Sequence, residues 1–168
     1  MNDEPIICVF RDGGLFPRTN AGTAKLHDAL GEGEIVGVLL DHFRSDKSHN
    51  HQFAEIADMW RTLPEASANQ PYAKNPDALR KHALIATGFA NTEVIVADSA
   101  ESAQRVAAYV GDLARQSHGY CIVEVEKRVV RVTTPHSQSR KAMGGRRFQE
   151  SKQSVLDWIE HLLREGRG

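Results

Sequence analysis

The stretch YCIVEVEKRVVRVTT, Tyr120 to Thr134, decides how the chain is read. Two valine-rich runs, YCIVEV and RVVRVTT, flank Glu126-Lys127, and β-branched residues at this density suit a pleated, half-buried surface. An antiparallel hairpin is expected here. Moving toward the N-terminus, EVIVA (Glu93–Ala97) reads as another strand, and a helix follows it. Asp98, with Glu101 three residues on, has the spacing of a capping box, with Asp in place of the usual Ser or Thr. The helix it opens places Ala103, Val106, Ala107, Val110 and Leu113 on a buried face. Further upstream, Asn75-Pro76 combines an N-cap with proline at the first helical position, and Gly88 closes that helix. The preceding ASANQPYAKNP is loop-like.

At the start of the chain, IICVF, Arg11-Asp12-Gly13-Gly14 and LFPR read as a second hairpin around an Asp-Gly turn, with Pro17 confined to an edge or a strand end. AGTAKLHDAL is a short helix ending near Gly31. EIVGVLLDHF (Glu34–Phe43) is strongly apolar and is expected to supply the central strand. Phe53, Ile56, Trp60 and Leu63 then form one helical stripe, ended by Pro64. The C-terminal part reads as a helix over SQSRKAM, a break at Gly144-Gly145, and a longer helix whose core stripe is Phe148, Val155, Ile159 and Leu162. Strands and helices interleave, yet at least two pairings are hairpins. The expected class is α+β: a single domain over 1–168, with a largely antiparallel sheet and several packed helices.

A chain of 168 residues can bury a sizeable core, and 40% hydrophobic with 26% charged residues is the balance of a soluble globular protein. No apolar run approaches a membrane span. The acidic opening MNDEPIICVF lacks the basic start of an export signal, so a cytoplasmic setting is expected. Cys8 and Cys121 fit that setting as core thiols rather than as a disulfide. The net charge of −1 conceals a polarised distribution. From Lys127 to Lys152 the chain carries Arg128, Arg131, Arg140, Lys141, Arg146 and Arg147, with Glu150 as the only acid. Such a region attracts polyanions.

RSDKSHNHQF (Arg44–Phe53) contains His49-Asn50-His51, a string that spells the name of a nuclease class. Contiguous residues point in different directions and cannot act together as general base, orienting amide and metal ligand. His residues at i, i+2 converge only on a strand, whereas this motif lies where an apolar run passes into a helix, and no zinc-like cluster follows. Nucleophile-elbow, phosphate-loop, C-x-x-C and H-E-x-x-H patterns are absent from the sequence. No catalytic residue, metal or cofactor is therefore expected. A helix start is different: its free N–H groups and positive dipole end favour an anion. Arg44, Lys47 and His49, with His51, Ser45 and Ser48, dress one such start. Arg140, Lys141, Arg146 and Arg147 dress another, with Arg128 and Arg131 extending the basic region. Together they suit a phosphate backbone without base readout. Phe16, Tyr72 and Phe89 are the loop aromatics available for base stacking, while Trp60 and Trp158 belong to core stripes.

RSDKSHNHQF resembles the Arg-Ser-x-x-x-Asn-x-x-x-aromatic segment of the phage recombination proteins called NinB or Orf, matched by Arg44, Ser45 and Phe53, with His49 where that family has Asn. SQSRKAMGGRRF resembles their Ser-x-x-x-Met-x-x-x-x-Phe segment through Ser139, Met143 and Phe148. Gly14, Leu15 and Pro17 in the first hairpin, followed by Arg44 and His49 ahead of an aromatic helix, also resemble phage and prophage proteins of unassigned function. The resemblance implies a non-catalytic, homodimeric accessory of recombination or replication. It would bind single-stranded or branched DNA and work with single-strand-binding protein or a recombinase. Two other classes stay open: a metal-dependent nuclease using His49 and His51, and a module that binds a host protein through the acidic helix from Asp98 to Asp112.

Overall fold

The computed structural model describes residues 5–38, 40, 46–139 and 142–166, and of residues 46–50 the helical backbone alone. The class is α+β, with both sheets antiparallel. The chain divides into two compact units, Met1–Phe43 and Arg44–Gly168. No helix among the described residues is long and apolar enough to cross a membrane.

In the first unit, β1 (Cys8–Arg11) pairs with β2 (Gly14–Pro17) in the register Arg11 opposite Gly14 and Cys8 opposite Pro17. Asp12 and Gly13 form the turn, both at positive φ (48° and 78°). That is the mirror-image turn geometry whose twist matches the flanking strands, and Asp-Gly tolerates it better than most pairs. Helix α1 (Asn20–Ala29) starts at Thr19, whose side chain accepts from Gly22 N at 3.1 Å.

The expected central strand does not form among the described residues of Glu34–Phe43. Ile35 is 97% exposed and Leu40 74%. An apolar run marks residues able to fill a sheet interior, but a strand exists only where a neighbour takes its N–H and C=O groups.

The centre of the larger sheet lies in the second unit. There β3 (Ala90–Val96), β4 (Ile122–Glu126) and β5 (Val129–Pro135) run in the order β3-β5-β4. The β4–β5 hairpin closes with Glu126 opposite Val129, so its turn is Lys127-Arg128, one residue beyond the expected place. Lys127 carries the positive φ, 55°. Val130 and Val132 of β5 point to one face and pack with Ala103 and Ala107 of α4 (Ala100–His118). Gly111 permits this close approach, since a Cβ there would lie 3.1 Å from the Val123 side chain. The N-cap of α4 is Ser99, accepting from Ser102 N at 3.1 Å, rather than Asp98. Leu113 is exposed, contrary to the expected buried face, and Ala114 packs on the sheet with Ala103 and Ala107 instead.

The other core lies among three helices: α2 (Asp46–Arg61), α3 (Pro76–Ala86) and α5 (Gly145–Glu165). Ile56, Leu79, Ala83, Leu84, Val155, Leu156 and Ile159 meet there. Each large apolar side chain buried this way contributes about 1.5–3 kcal/mol relative to exposure. Asn75 caps α3 as expected, its Oδ1 accepting from Ala78 N at 2.8 Å. The segment between α2 and α3 holds two 3₁₀ turns, Glu65–Ser67 and Pro71–Lys74. The second is tied down where Trp60 Nε1 donates to Ala73 O at 2.8 Å.

No helix forms over the described residues of SQSRKAM. Ser139 O instead accepts from Met143 N at 2.9 Å, and Ser137 and Ser139 bond each other and nearby backbone. Hydroxyls used in this way compete with helix formation.

Candidate functional site

Asp77, Arg80 and Lys81 share one end of α3, and their spacing puts all three on adjacent turns. Arg80 donates to Asp77 Oδ1 through Nε (3.2 Å) and Nη2 (2.7 Å), and Lys81 Nζ lies 2.7 Å from Asp77 Oδ2. Burial raises the Asp77 carboxyl, but the bonds and charges of Lys81 and Arg80 outweigh it and hold the group below its usual range. The remaining Arg80 bond leaves the helix: Nη1 donates to Gln138 Oε1 at 2.7 Å. Gln138, only 4% exposed, passes the connection on by donating from Nε2 to Ser151 Oγ at 2.8 Å. Ser151 in turn donates to Phe148 O at 2.9 Å, within α5. A buried chain of polar groups thus anchors the segment after β5 to two helices, with the Arg80 guanidinium 5.0 Å from the Phe53 ring centroid.

With Gln138 turned inward, its neighbours line two adjoining cavities. One, of about 320 Å³, is bounded by Phe53, Arg80, Lys81, His118 and Ser139, among others. The second, of about 380 Å³, has Asn91, Met143 and Arg147 in its wall. His118, Pro135, His136 and Ser137 line both, so the two form one groove. Six elements converge there: the C-terminal ends of α4 and β5, the first turn of α5, α3, Phe53 of α2 and Asn91 of β3. His136 is placed by its backbone N–H, which donates to Phe89 O at 2.8 Å. Its ring lies with Nε2 3.0 Å from Asn91 Oδ1 and Nδ1 3.3 Å from Arg147 Nη2. Burial, then the Arg147 charge, lowers its pKa from the ordinary histidine value.

The sequence-derived cations are distributed unevenly about this groove. Arg147 lines it; Arg146 is exposed and paired to Glu150 at 3.2 Å. Arg128 sits in the β4–β5 turn, at the far end of β5 from the groove, about 20 Å away at roughly 3.4 Å per strand residue. Arg131 projects from the sheet face opposite α4, 3.2 Å from Glu126. These two are not brought together with Arg147. Arg44, Arg140 and Lys141 lie outside the described residues, as do the side chains of Lys47 and His49, whose backbone belongs to α2. His51 is exposed and 3.9 Å from Glu55. Among the described residues no group of three or more His, Cys, Asp or Glu could hold a metal ion.

The aromatics also rearrange. Phe16 is covered by the Arg11 guanidinium, 4.7 Å from its centroid. Tyr72 packs on His82 and Trp158, and Phe89 packs on the helical core. Phe53, assigned to the core stripe from the sequence, instead borders the groove. Sequence reasoning missed Arg80, Lys81, His118 and His136 as site residues because they lie on three separate segments with no local pattern. Three of the residues that carry the family resemblance have visible structural roles. Ser139 makes the turn before α5, Met143 Sδ accepts from Ser151, and Phe148 is fully buried.

Comparison with protein-family models, curated proteins and solved structures gives no match.

Proposed function

We propose that the protein is a non-catalytic, cytoplasmic accessory of phage-type recombination or replication that holds single-stranded DNA by its phosphate backbone. The carrying observation is the groove in which Lys81, His118, His136 and Arg147 stand beside the hydroxyls of Ser137 and Ser139. Cations and hydroxyl donors of this kind grip phosphate oxygens and carry no sequence information. Phe53 at the rim supplies an apolar ring for a base. The homodimer and the recombination context rest on the NinB resemblance. A protein partner, such as single-strand-binding protein or a recombinase, has a candidate surface on α4, where Tyr109 and Leu113 are exposed one turn apart.

The test is salt-dependent binding of a single-stranded oligonucleotide. Affinity is expected to fall with salt, with a logarithmic slope of about 0.7 per phosphate neutralised. Arg147→Glu is expected to lower affinity at least tenfold and to reduce the slope, whereas Arg146→Glu, outside the groove, changes it less. Equal effects of the two substitutions, or no binding at low salt, refute the reading.

A further inference from the structure

The contacts of His136 define which protonation state its ring requires. A guanidinium can only donate, so the Arg147 bond needs a lone pair on His136 Nδ1. Asn91 Oδ1 can only accept, so the ring proton sits on Nε2. One tautomer of the neutral ring satisfies both contacts. A protonated ring keeps the Asn91 bond but sets Nδ1–H against Arg147 N–H, donor to donor, with two like charges in contact. An anion between the two resolves the conflict, because it accepts from both.

We propose that His136 and Arg147 form a proton-coupled phosphate site: a phosphate group displaces the Arg147–His136 hydrogen bond, and one proton is taken up at Nδ1 of His136. The proposal rests on the backbone-binding reading above and adds to it a ligand charge and a dependence on pH.

The surroundings set the sign. From α5, Arg147 faces the ring, while Arg146 is turned to Glu150. From β3 comes the neutral Asn91, with Glu93 two residues further along the same strand face. The end of α4 contributes His118, and α3 contributes Arg80 and Lys81, both tied to Asp77. Ser137 and Ser139 add neutral hydroxyls. Near His136 the closest charge is therefore positive, and with burial it favours the neutral ring when no anion is present. A bound phosphate reverses that field and raises the proton affinity of the ring. Between the free and bound values, affinity must rise as pH falls, by up to about tenfold per unit for one coupled proton.

The experiment uses the full chain and a fluorescent single-stranded oligonucleotide with hydroxyl ends, whose phosphodiesters do not titrate in this range. Affinity is measured at constant ionic strength from about pH 8 down to about pH 5, the range in which histidine changes charge. The expected result is a steady gain in affinity, with proton uptake seen by calorimetry in buffers of different ionisation heat. His136→Gln is expected to bind with an affinity independent of pH, and His161→Gln, on the last turns of α5 and paired to Glu165, to retain the gain. Binding without pH dependence, or a pH dependence that survives in His136→Gln, overturns the proposal while leaving backbone binding intact. Absence of binding at every pH refutes the backbone reading instead. A separate arm follows the His136 ring by NMR while inorganic sulfate is added. An upward shift of its titration supports the site, and an unchanged titration overturns it whatever the oligonucleotide does.

Discussion

Replacing Gln138 by alanine tests whether the buried polar chain holds the groove in shape. Gln138 accepts from Arg80 Nη1 at 2.7 Å and donates to Ser151 Oγ at 2.8 Å. In Gln138→Ala the Arg80 guanidinium keeps Asp77, but one of its N–H groups faces a buried space without an acceptor. A hydrogen bond to a charged group contributes about 1.5–3 kcal/mol and a neutral one about 1 kcal/mol. The loss is therefore about 3 kcal/mol, a large share of the roughly 5–15 kcal/mol that keeps a domain folded. With a urea slope of about 2 kcal/mol per molar, the unfolding midpoint falls by about 1.5 M with the slope unchanged. Trp60 and Trp158, both packed against the helical core, report the transition by fluorescence. Ser151→Ala orphans only the neutral Gln138 amide and is expected to cost about 1–2 kcal/mol, and the double substitution should fall short of the sum by about 1 kcal/mol. A midpoint shift below about 0.3 M for Gln138→Ala, on the same slope, refutes the clamp. Additive single effects would show that the two bonds act separately.

Two further outcomes follow from other buried groups. Gln52 is fully buried and neither side-chain amide atom has a hydrogen-bond partner among the described residues, so Gln52→Met is expected to raise stability by about 1–2 kcal/mol, read from the urea midpoint. Destabilisation would show that the amide is satisfied in solution. His82 packs tilted against Tyr72 and Trp158, with Nδ1 2.8 Å from Tyr120 Oη, and burial lowers its pKa from 6.5. The neutral ring is favoured by folding, so its contribution is present above pH 6.5 and is lost as pH falls from there through the lower folded value. The melting temperature should decline over that window in the parent chain and decline less in His82→Phe, whereas parallel declines would assign the effect to other groups.

Much of the fold is legible in local chemistry. Asp12-Gly13 specifies a two-residue turn by its tolerance of positive φ, and Asn75-Pro76 specifies a helix start because one caps and the other needs no donor. The valine-rich runs on either side of Lys127-Arg128 specify a hairpin, since its partner strand lies next to it in sequence. The stripe of Phe148, Val155 and Ile159 gives α5 its buried face by spacing alone. Glu34–Phe43 shows where this kind of reasoning stops. Its apolar content equals that of a central strand, but pairing is a property of two segments and only one of them was in view.

The candidate site was legible only in part, and for a similar reason. The concentration of positive charge near Arg146-Arg147 is a sequence property, and it located one wall of the groove. Which arginine faces inward is not: Arg147 meets His136 while Arg146 meets Glu150, a choice made by the rotation of α5 on its core. Arg80, Lys81, His118 and His136 become neighbours because α3, α4, β5 and α5 place particular ends at one location. By itself the sequence determined the local elements and the sign of the field, since turn, cap and charge preferences act over a few residues. Only the tertiary structure decided the central strand, the inward arginine and the contacts of His136, because each depends on groups that the chain must fold to bring within hydrogen-bonding distance.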